Sequence, residues 1–284
     1  MTVTGKNILV TGSTDGIGKQ TAMGLARIGA KVLLHGRNRE KVLKVRDEIS
    51  QEIDNIQLDY FIADLSSQKQ VRNLAAEISE RYEHLHVLIN NAGTYSSERI
   101  ITEDGFELTF SVNYLAPFLL TQQLLELLKK SAPSRIVNVA SNAHWNANVD
   151  WNNLQAERYF DGFGAYALSK LGIVFLTYEL AKRLEGSGVT VNCLHPGVVK
   201  TKLLRAGFGD IHGITPEEGA RTSIYLASSP DIENVSGKYF ERCRPVRSSH
   251  QSYSNVLQEK FWKISENLVA LHKTREVKSA YRIS

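Results

Sequence analysis

Tyr166 and Lys170 stand four residues apart in YALSK, a spacing that puts both side chains on one face of a helix. A tyrosine is a poor proton donor or acceptor near neutrality, because its phenol ordinarily ionises near pH 10. A cation about 4 Å away, at an effective dielectric of about 20, favours the phenolate by roughly 4 kcal/mol, on the order of a thousandfold in the ionisation constant. The expectation is that Lys170 lowers the Tyr166 phenol enough for general acid/base work. Such pairs are common on helix surfaces, so context matters. Ser141, closing the apolar run RIVNVAS, adds a hydroxyl that can donate a hydrogen bond to a carbonyl oxygen.

A second group of residues points to a phosphate. TGSTDGIG spans 11–18, directly after an apolar run and at the opening of a helical pattern. Gly12 permits a tight turn, Gly16 lets backbone approach phosphate oxygens, and Gly18 lets helix and strand pack closely; Ser13, Thr14 and Ile17 complete the turn. The free N–H groups and dipole of the helix then face the anion. A site for NAD usually carries Asp or Glu about 20 residues further on, against the ribose 2′-hydroxyl. Here the second apolar run ends His35, Gly36, Arg37, Asn38, Arg39, with no acid before Glu40. Arg37 suits a 2′-phosphate, so NADP(H) is the expected cofactor, with NAD(H) a weaker substitute.

These residues need a scaffold that gathers them at one edge. Short runs rich in Val, Ile and Leu at 7–11, 31–35, 56–64, 86–90, 135–141, 189–196 and 237–240 alternate with helical patterns at 17–28, 39–52, 67–82, 105–130, 165–185 and 216–228. That alternation implies parallel pairing with right-handed crossovers, and runs apolar on both faces imply helices on both sides of the sheet. The expected fold is α/β: one doubly wound, Rossmann-type domain with a mostly parallel seven-stranded sheet, over 1–244, and a helical extension over 245–284 packed on it. In this fold, ligands bind at the carboxyl ends of the strands, where Ser141 and the glycine turn both fall.

Composition bounds the rest. The 284 residues are 42% hydrophobic and 23% charged, enough for a substantial core. The net charge of +4 is uneven: residues 241–284 carry nine Lys/Arg against four Asp/Glu, while 1–240 carry 25 against 26. A near-neutral body argues against nucleic acid as a partner. Cys193 and Cys243 make no metal pattern, and His144, His195 and His212 lack ligand-spaced partners, so no metal is expected. The first residues show no signal-peptide pattern and no apolar run is long enough to span a membrane, so the expected location is the cytoplasm. In the basic tail, Val256, Leu257, Phe261, Ile264, Leu268 and Leu271 trace an apolar stripe. It is read as a helix packed on the body, with a dimer contact or a peripheral membrane contact as alternatives.

Taken in order, TGSTDGIG, Asn91-Ala92-Gly93, Asn113, Ser141, Tyr166 with Lys170, and Pro196-Gly197 resemble the short-chain dehydrogenase/reductase family over 7–201. The resemblance implies hydride transfer between a nicotinamide cofactor and a carbonyl or alcohol carbon. It implies Tyr166 as acid/base, Ser141 as carbonyl orienter, Lys170 as ribose ligand and modulator of Tyr166, and Asn113 as support for a water-mediated proton relay. It also implies adenine contacts from Asp64 and Leu65, with a helix cap as the other reading of Asp64, and a nicotinamide side lined by Pro196, Gly197, Val199 and Thr201. Asn91, Ala92 and Gly93 would bind the cofactor as well. A homodimer through the helices at 105–130 and 165–185 is a further implication.

The 25-residue separation of Ser141 and Tyr166, and the late stretch SGKYFERC, resemble the retinol dehydrogenase-like branch. Its membrane-bound members carry an N-terminal anchor, whereas this chain enters its first strand by residue 7. Trp145, Trp151, Tyr159, Phe160 and Phe163 in the insert are read as walls for a bulky apolar substrate (retinoid, steroid, lipid-like or xenobiotic), with ordinary core or loop packing as the other reading. Residues 202–214, with Leu203, Leu204 and Phe208, are read as a lid or as a glycine-rich loop without that role. The competing functions are a non-catalytic dinucleotide-binding redox sensor or scaffold, and a peripheral membrane protein acting through the basic tail.

Overall fold

The computed structural model describes residues 2–53, 57–209 and 211–280; Leu271, together with the side chain of Phe208, lies outside the described side chains. Strand and helix alternate through β1 (Asn7–Val10), α1 (Gly16–Arg27), β2 (Lys31–Gly36), α2 (Arg39–Glu52), β3 (Leu58–Ile62), α3 (Gln68–Arg81) and β4 (Val87–Asn90). The second half adds α4 (Leu108–Phe110), α5 (Ala116–Lys130), β5 (Ser134–Val139), α6 (Gly162–Arg183), β6 (Val189–His195), α7 (Lys202–Phe208), α8 (Pro216–Ser228), β7 (Lys238–Glu241), β8 (Arg244–Val246) and α9 (Asn255–Ala280). Side-chain caps set several starts: Ser67 accepts the Gln70 N–H before α3, Asp161 the Gly164 N–H before α6, and Thr215 forms a reciprocal box with Glu218 before α8.

The sheet order is β3-β2-β1-β4-β5-β6-β7-β8, parallel except where β8 returns antiparallel to β7. All seven expected strands form, and β8 is an eighth. It escapes sequence reading because it is three exposed residues long and its turn uses Arg242 and Cys243 at φ 49° and 61°, without the Asn-Gly signal of such hairpins. Every position of β4 and β5 is buried, since helices cover both faces. The chain order reverses between β1 and β4, which opens a crevice at their carboxyl ends.

One expected helix is interrupted. In place of a continuous 105–130 helix, Ser111–Leu115 forms a π-helical turn between α4 and α5. Pro117, in the first turn of α5, has no N–H for the carbonyl of Asn113 four residues earlier, so the regular ladder cannot run through this point.

The C-terminal stripe does pack on the body, with one correction: Val256 is 74% exposed and takes no part. Phe261 of the stripe is buried against Tyr114 (ring centroids 4.9 Å apart) and Phe175 (5.4 Å), and Trp262, outside the stripe, against Phe118 (5.0 Å). These rings cover faces of α5 and α6, the helices expected to make a dimer contact. Among the described residues, no helix is long and apolar enough to cross a membrane.

Candidate active site

The glycine turn is built by close approaches that exclude side chains. A Cβ on Gly18 would run into the Gly12 carbonyl and the Asn91 amide, and one on Gly12, at φ 65°, would lie 2.8 Å from the Ala92 Cα. Asn91 binds the turn directly, its Nδ2 donating to the Thr11 carbonyl at 2.8 Å and to that of Gly12 at 3.3 Å. The Thr11 hydroxyl accepts the N–H groups of Asn91 and Ala92 at 2.9 and 3.1 Å. Gly18→Ala is therefore expected to cost about 1–3 kcal/mol, lowering the thermal midpoint by about 2–10 °C, with weakened NADPH binding in a fluorescence titration. An unchanged melting curve would contradict this packing.

His35, which carried no role in the sequence reading, holds the turn from β2. Its Nδ1 accepts the Gly12 N–H at 3.2 Å and its Nε2 lies 3.2 Å from the Ala63 carbonyl. Burial pushes the imidazole down to about 4, so it is neutral. Ser13 is fully buried and does not line the cleft; its hydroxyl accepts the His35 N–H at 2.8 Å and cross-links the turn to β2.

A cleft of about 640 Å³ runs along the carboxyl edge of the sheet. It is lined by Arg37, Asp64 and Leu65, by Gly12, Thr14, Gly16, Ile17 and Gly18 of the glycine turn, and by Asn91, Ala92 and Gly93. Arg37 is exposed at the rim. Asp64 is not a helix cap: its carboxylate accepts the Ser66 N–H at 2.9 Å, and Ser67 caps α3. The same cleft is lined by Ser141, Tyr166 and Lys170 and by Pro196, Gly197, Val199 and Thr201, with Thr201 beside Gly16 and Lys170 beside Gly93.

Tyr166 and Lys170 are brought together, but not with the expected electrostatics. Lys170 Nζ sits 5.6 Å from the Tyr166 ring centroid and donates to the Val139 carbonyl at 2.9 Å. Burial pushes the Tyr166 phenol up to about 12, opposed by a hydrogen bond with Ser141, and pushes the Lys170 amine down to about 8. The phenol is thus raised, not lowered as expected, because desolvation disfavours both ions.

Asn113 is buried and does not line the cleft. Its Oδ1 accepts the Thr94 N–H at 2.7 Å, while its Nδ2 donates to the Thr94 carbonyl at 2.9 Å and to Ser169 Oγ at 3.1 Å. It thus ties the loop after β4 to α6, one residue from Lys170. Sequence reading missed Thr94, whose backbone makes this clamp. It also missed the π-helical turn around Asn113, for which Pro117 was the available signal.

The substrate end is apolar but differently made. Of the five aromatic residues expected there, only Phe163 lines the cleft. Trp145 and Tyr159 are exposed, Trp151 packs toward Phe261 (6.2 Å between centroids), and Phe160 lies elsewhere. The wall is completed by Leu108, Val112, Leu203, Leu204 and Ile211, the last three from α7 and the segment after it.

A nicotinamide dinucleotide fits these residues: one cleft is lined by an exposed arginine, a turn whose glycines leave backbone bare, and a buried tyrosine and lysine. Comparison with known proteins agrees. The family model for short chain dehydrogenases matches residues 6–210. Retinol dehydrogenase 13 of Homo sapiens is 42% identical over 287 residues, covering 95% of this chain and 86% of that protein. Retinol dehydrogenase 14 of Mus musculus is 40% identical, covering 95% and 87%. Among solved structures, a protein of Mycobacterium paratuberculosis superposes with a TM-score of 0.80 at 27% identity over 95% of each chain. A short-chain dehydrogenase of Escherichia coli CFT073 complexed with NADPH gives 0.70 at 29%, covering 86% of this chain and 99% of that one. The chain belongs to the short-chain dehydrogenase family, in its retinol dehydrogenase-like branch, and is an NAD(P)-dependent oxidoreductase.

Proposed function

We propose that this enzyme interconverts a bulky apolar aldehyde or ketone and its alcohol, with NADP(H) preferred. The observation that carries the reading is the meeting of Ser141, Tyr166 and Lys170 on a cleft also lined by Leu108, Val112, Phe163, Leu203, Leu204 and Ile211. A retinoid-like substrate suits that wall, and the similarity to retinol dehydrogenases supports it.

When bound, the cofactor supplies a hydride to the carbonyl carbon or takes one from the alcohol. Ser141 donates a hydrogen bond to the substrate oxygen. Tyr166 delivers its phenolic proton to that oxygen in reduction, and the phenolate takes it back in oxidation. Lys170, as the ammonium, holds the cofactor ribose and stabilises the phenolate left behind. Asn113 holds Thr94 and the preceding loop against α6, which keeps Gly93 and Lys170 in register. Arg37 pairs with the 2′-phosphate, and Asp64 and Leu65 flank the adenine.

The raised phenol suits the reductive direction, because Tyr166 stays protonated across the working range. Lys170 loses its charge as pH rises through about 8. Reductive kcat/KM is thus expected to be level on the acid side and to fall above about pH 8, while oxidation, which needs the phenolate, rises with pH. Initial rates from about pH 6 to about pH 10 in both directions check this; a level reductive profile throughout would contradict it.

The test of the whole reading is purified protein with NADPH or NADH, followed at the nicotinamide absorbance, against aldehydes graded by size and polarity with all-trans-retinal among them. Rates that rise with apolar bulk support it. Equal rates across the panel remove the apolar pocket, and cofactor binding with no turnover favours a dinucleotide-binding sensor.

A further inference from the structure

The turn that carries Ser141 is held from outside the cleft. Ser141 caps the short 3-10 turn Asn142–Asn146, accepting the Ala143 N–H at 3.2 Å. Within that turn His144 is completely buried and does not line the cleft. Its Nδ1 lies 2.6 Å from the Ser141 carbonyl, and its Nε2 accepts the Ser249 N–H at 3.0 Å. A carbonyl can only accept and a backbone N–H can only donate, so the ring is neutral with its proton on Nδ1. Burial also disfavours the charged ring.

The same C-terminal segment ties the end of the turn, where Gln251 Nε2 donates to the Ala147 carbonyl at 2.8 Å. It is anchored in turn by buried hydroxyls: Tyr178 and Ser248 lie 2.6 Å apart, as do Ser248 and Ser252. Tyr178 belongs to α6, the helix that carries Tyr166 and Lys170. Residues 248–251 therefore bridge the two elements that must bring the Ser141 hydroxyl and the Tyr166 phenol onto one substrate oxygen.

We propose that His144 is a positioning residue: it transmits the docking of residues 248–251 to the backbone of Ser141 and so fixes where the Ser141 hydroxyl points. This rests on the role given to Ser141 above. A displacement of about 1 Å at a reacting group can cost about a hundredfold in rate.

The experiment measures kcat in the full chain with NADPH and the fastest aldehyde of the panel, normalised to cofactor sites titrated by NADPH fluorescence. His144→Phe keeps a ring beside Tyr239, 4.9 Å away, but removes both hydrogen bonds. It is expected to lower kcat about ten- to a hundredfold, with the NADPH Kd within about twofold. His144→Asn keeps a donor near the Ser141 carbonyl and is expected to recover most of the loss. His144→Gln reaches Ser249 but not that carbonyl and is expected to lose as much as the Phe variant; it decides the matter if the Phe variant does not fold. The double-mutant cycle isolates the route: on a Ser141→Ala background, the His144 substitution is expected to cost less than about twofold more. Wild-type kcat in the Phe or Gln variant, failure of Asn to recover it, or the same loss on both backgrounds overturns the proposal. Wild-type turnover in Ser141→Ala alone overturns the role of Ser141 itself, a distinct result that removes this inference with it.

Discussion

Tyr166→Phe is expected to lower kcat by about a hundred- to ten thousandfold, the range over which a positioned general acid accelerates proton transfer. The substitution removes one oxygen from a ring that is otherwise packed: Tyr166 is buried and meets Tyr95 edge-on at 6.1 Å between centroids. The fold and the glycine turn are untouched, so NADPH binding should persist, measured by fluorescence titration, while hydride transfer nearly stops. The loss corresponds to about 3–5 kcal/mol of transition-state stabilisation. It should appear in kcat and kcat/KM alike, because the phenol gives up its proton only as charge develops on the substrate oxygen. Near-normal turnover in this variant would remove Tyr166 from the mechanism and leave Ser141 as the only hydroxyl of the trio.

Arg37→Asp is expected to move the ratio of kcat/KM for NADPH over NADH by on the order of a thousandfold. A charge-assisted hydrogen bond contributes about 1.5–3 kcal/mol, which puts the loss with NADPH at about ten- to a hundredfold before repulsion. The new carboxylate then repels a 2′-phosphate and accepts hydrogen bonds from a 2′-hydroxyl, which favours NADH. Arg37 makes no ion pair among the described residues, while the nearby Arg39 is engaged elsewhere. Arg39 is committed to Tyr60, donating to its hydroxyl at 2.8 Å and lying 5.4 Å from its ring centroid. Steady-state kinetics with both cofactors settle the assignment, and an unchanged ratio would leave Arg37 a solvated rim residue.

The C-terminal segment changes meaning between sequence and structure. Its charge excess drew attention to partners outside the chain, a membrane surface or a second copy. What the fold shows is attachment inward: Phe261 and Trp262 cover α5 and α6, and Ser249 and Gln251 hold the turn after Ser141. The apolar stripe was legible because i, i+3, i+4 spacing is a local property. The same spacing also takes in the exposed Val256, because periodicity cannot say where the first turn of a helix leaves the surface it packs on.

The limits elsewhere have the same origin. The aromatic insert was read by composition, which counts rings without aiming them; Phe163 faces the cleft because it sits in the first turn of α6, while Trp145 and Tyr159 face solvent. For Tyr166 and Lys170, one separation and a surface-like dielectric predict a lowered phenol. Burial on all sides reversed the direction for the phenol.

By itself the sequence determined the alternation of strands and helices, the glycine turn after β1, the chain positions of Ser141, Tyr166 and Lys170, and the absence of an acid where Arg37 stands. All of these follow from the repeat of the backbone and from residues within one or two turns of each other. The tertiary structure decided which side chains face the cleft, how far burial opposes ionisation there, and that a histidine three residues beyond Ser141 joins it to a segment more than a hundred residues later. Those are properties of what packs against a residue from distant parts of the chain, and no local spacing encodes them.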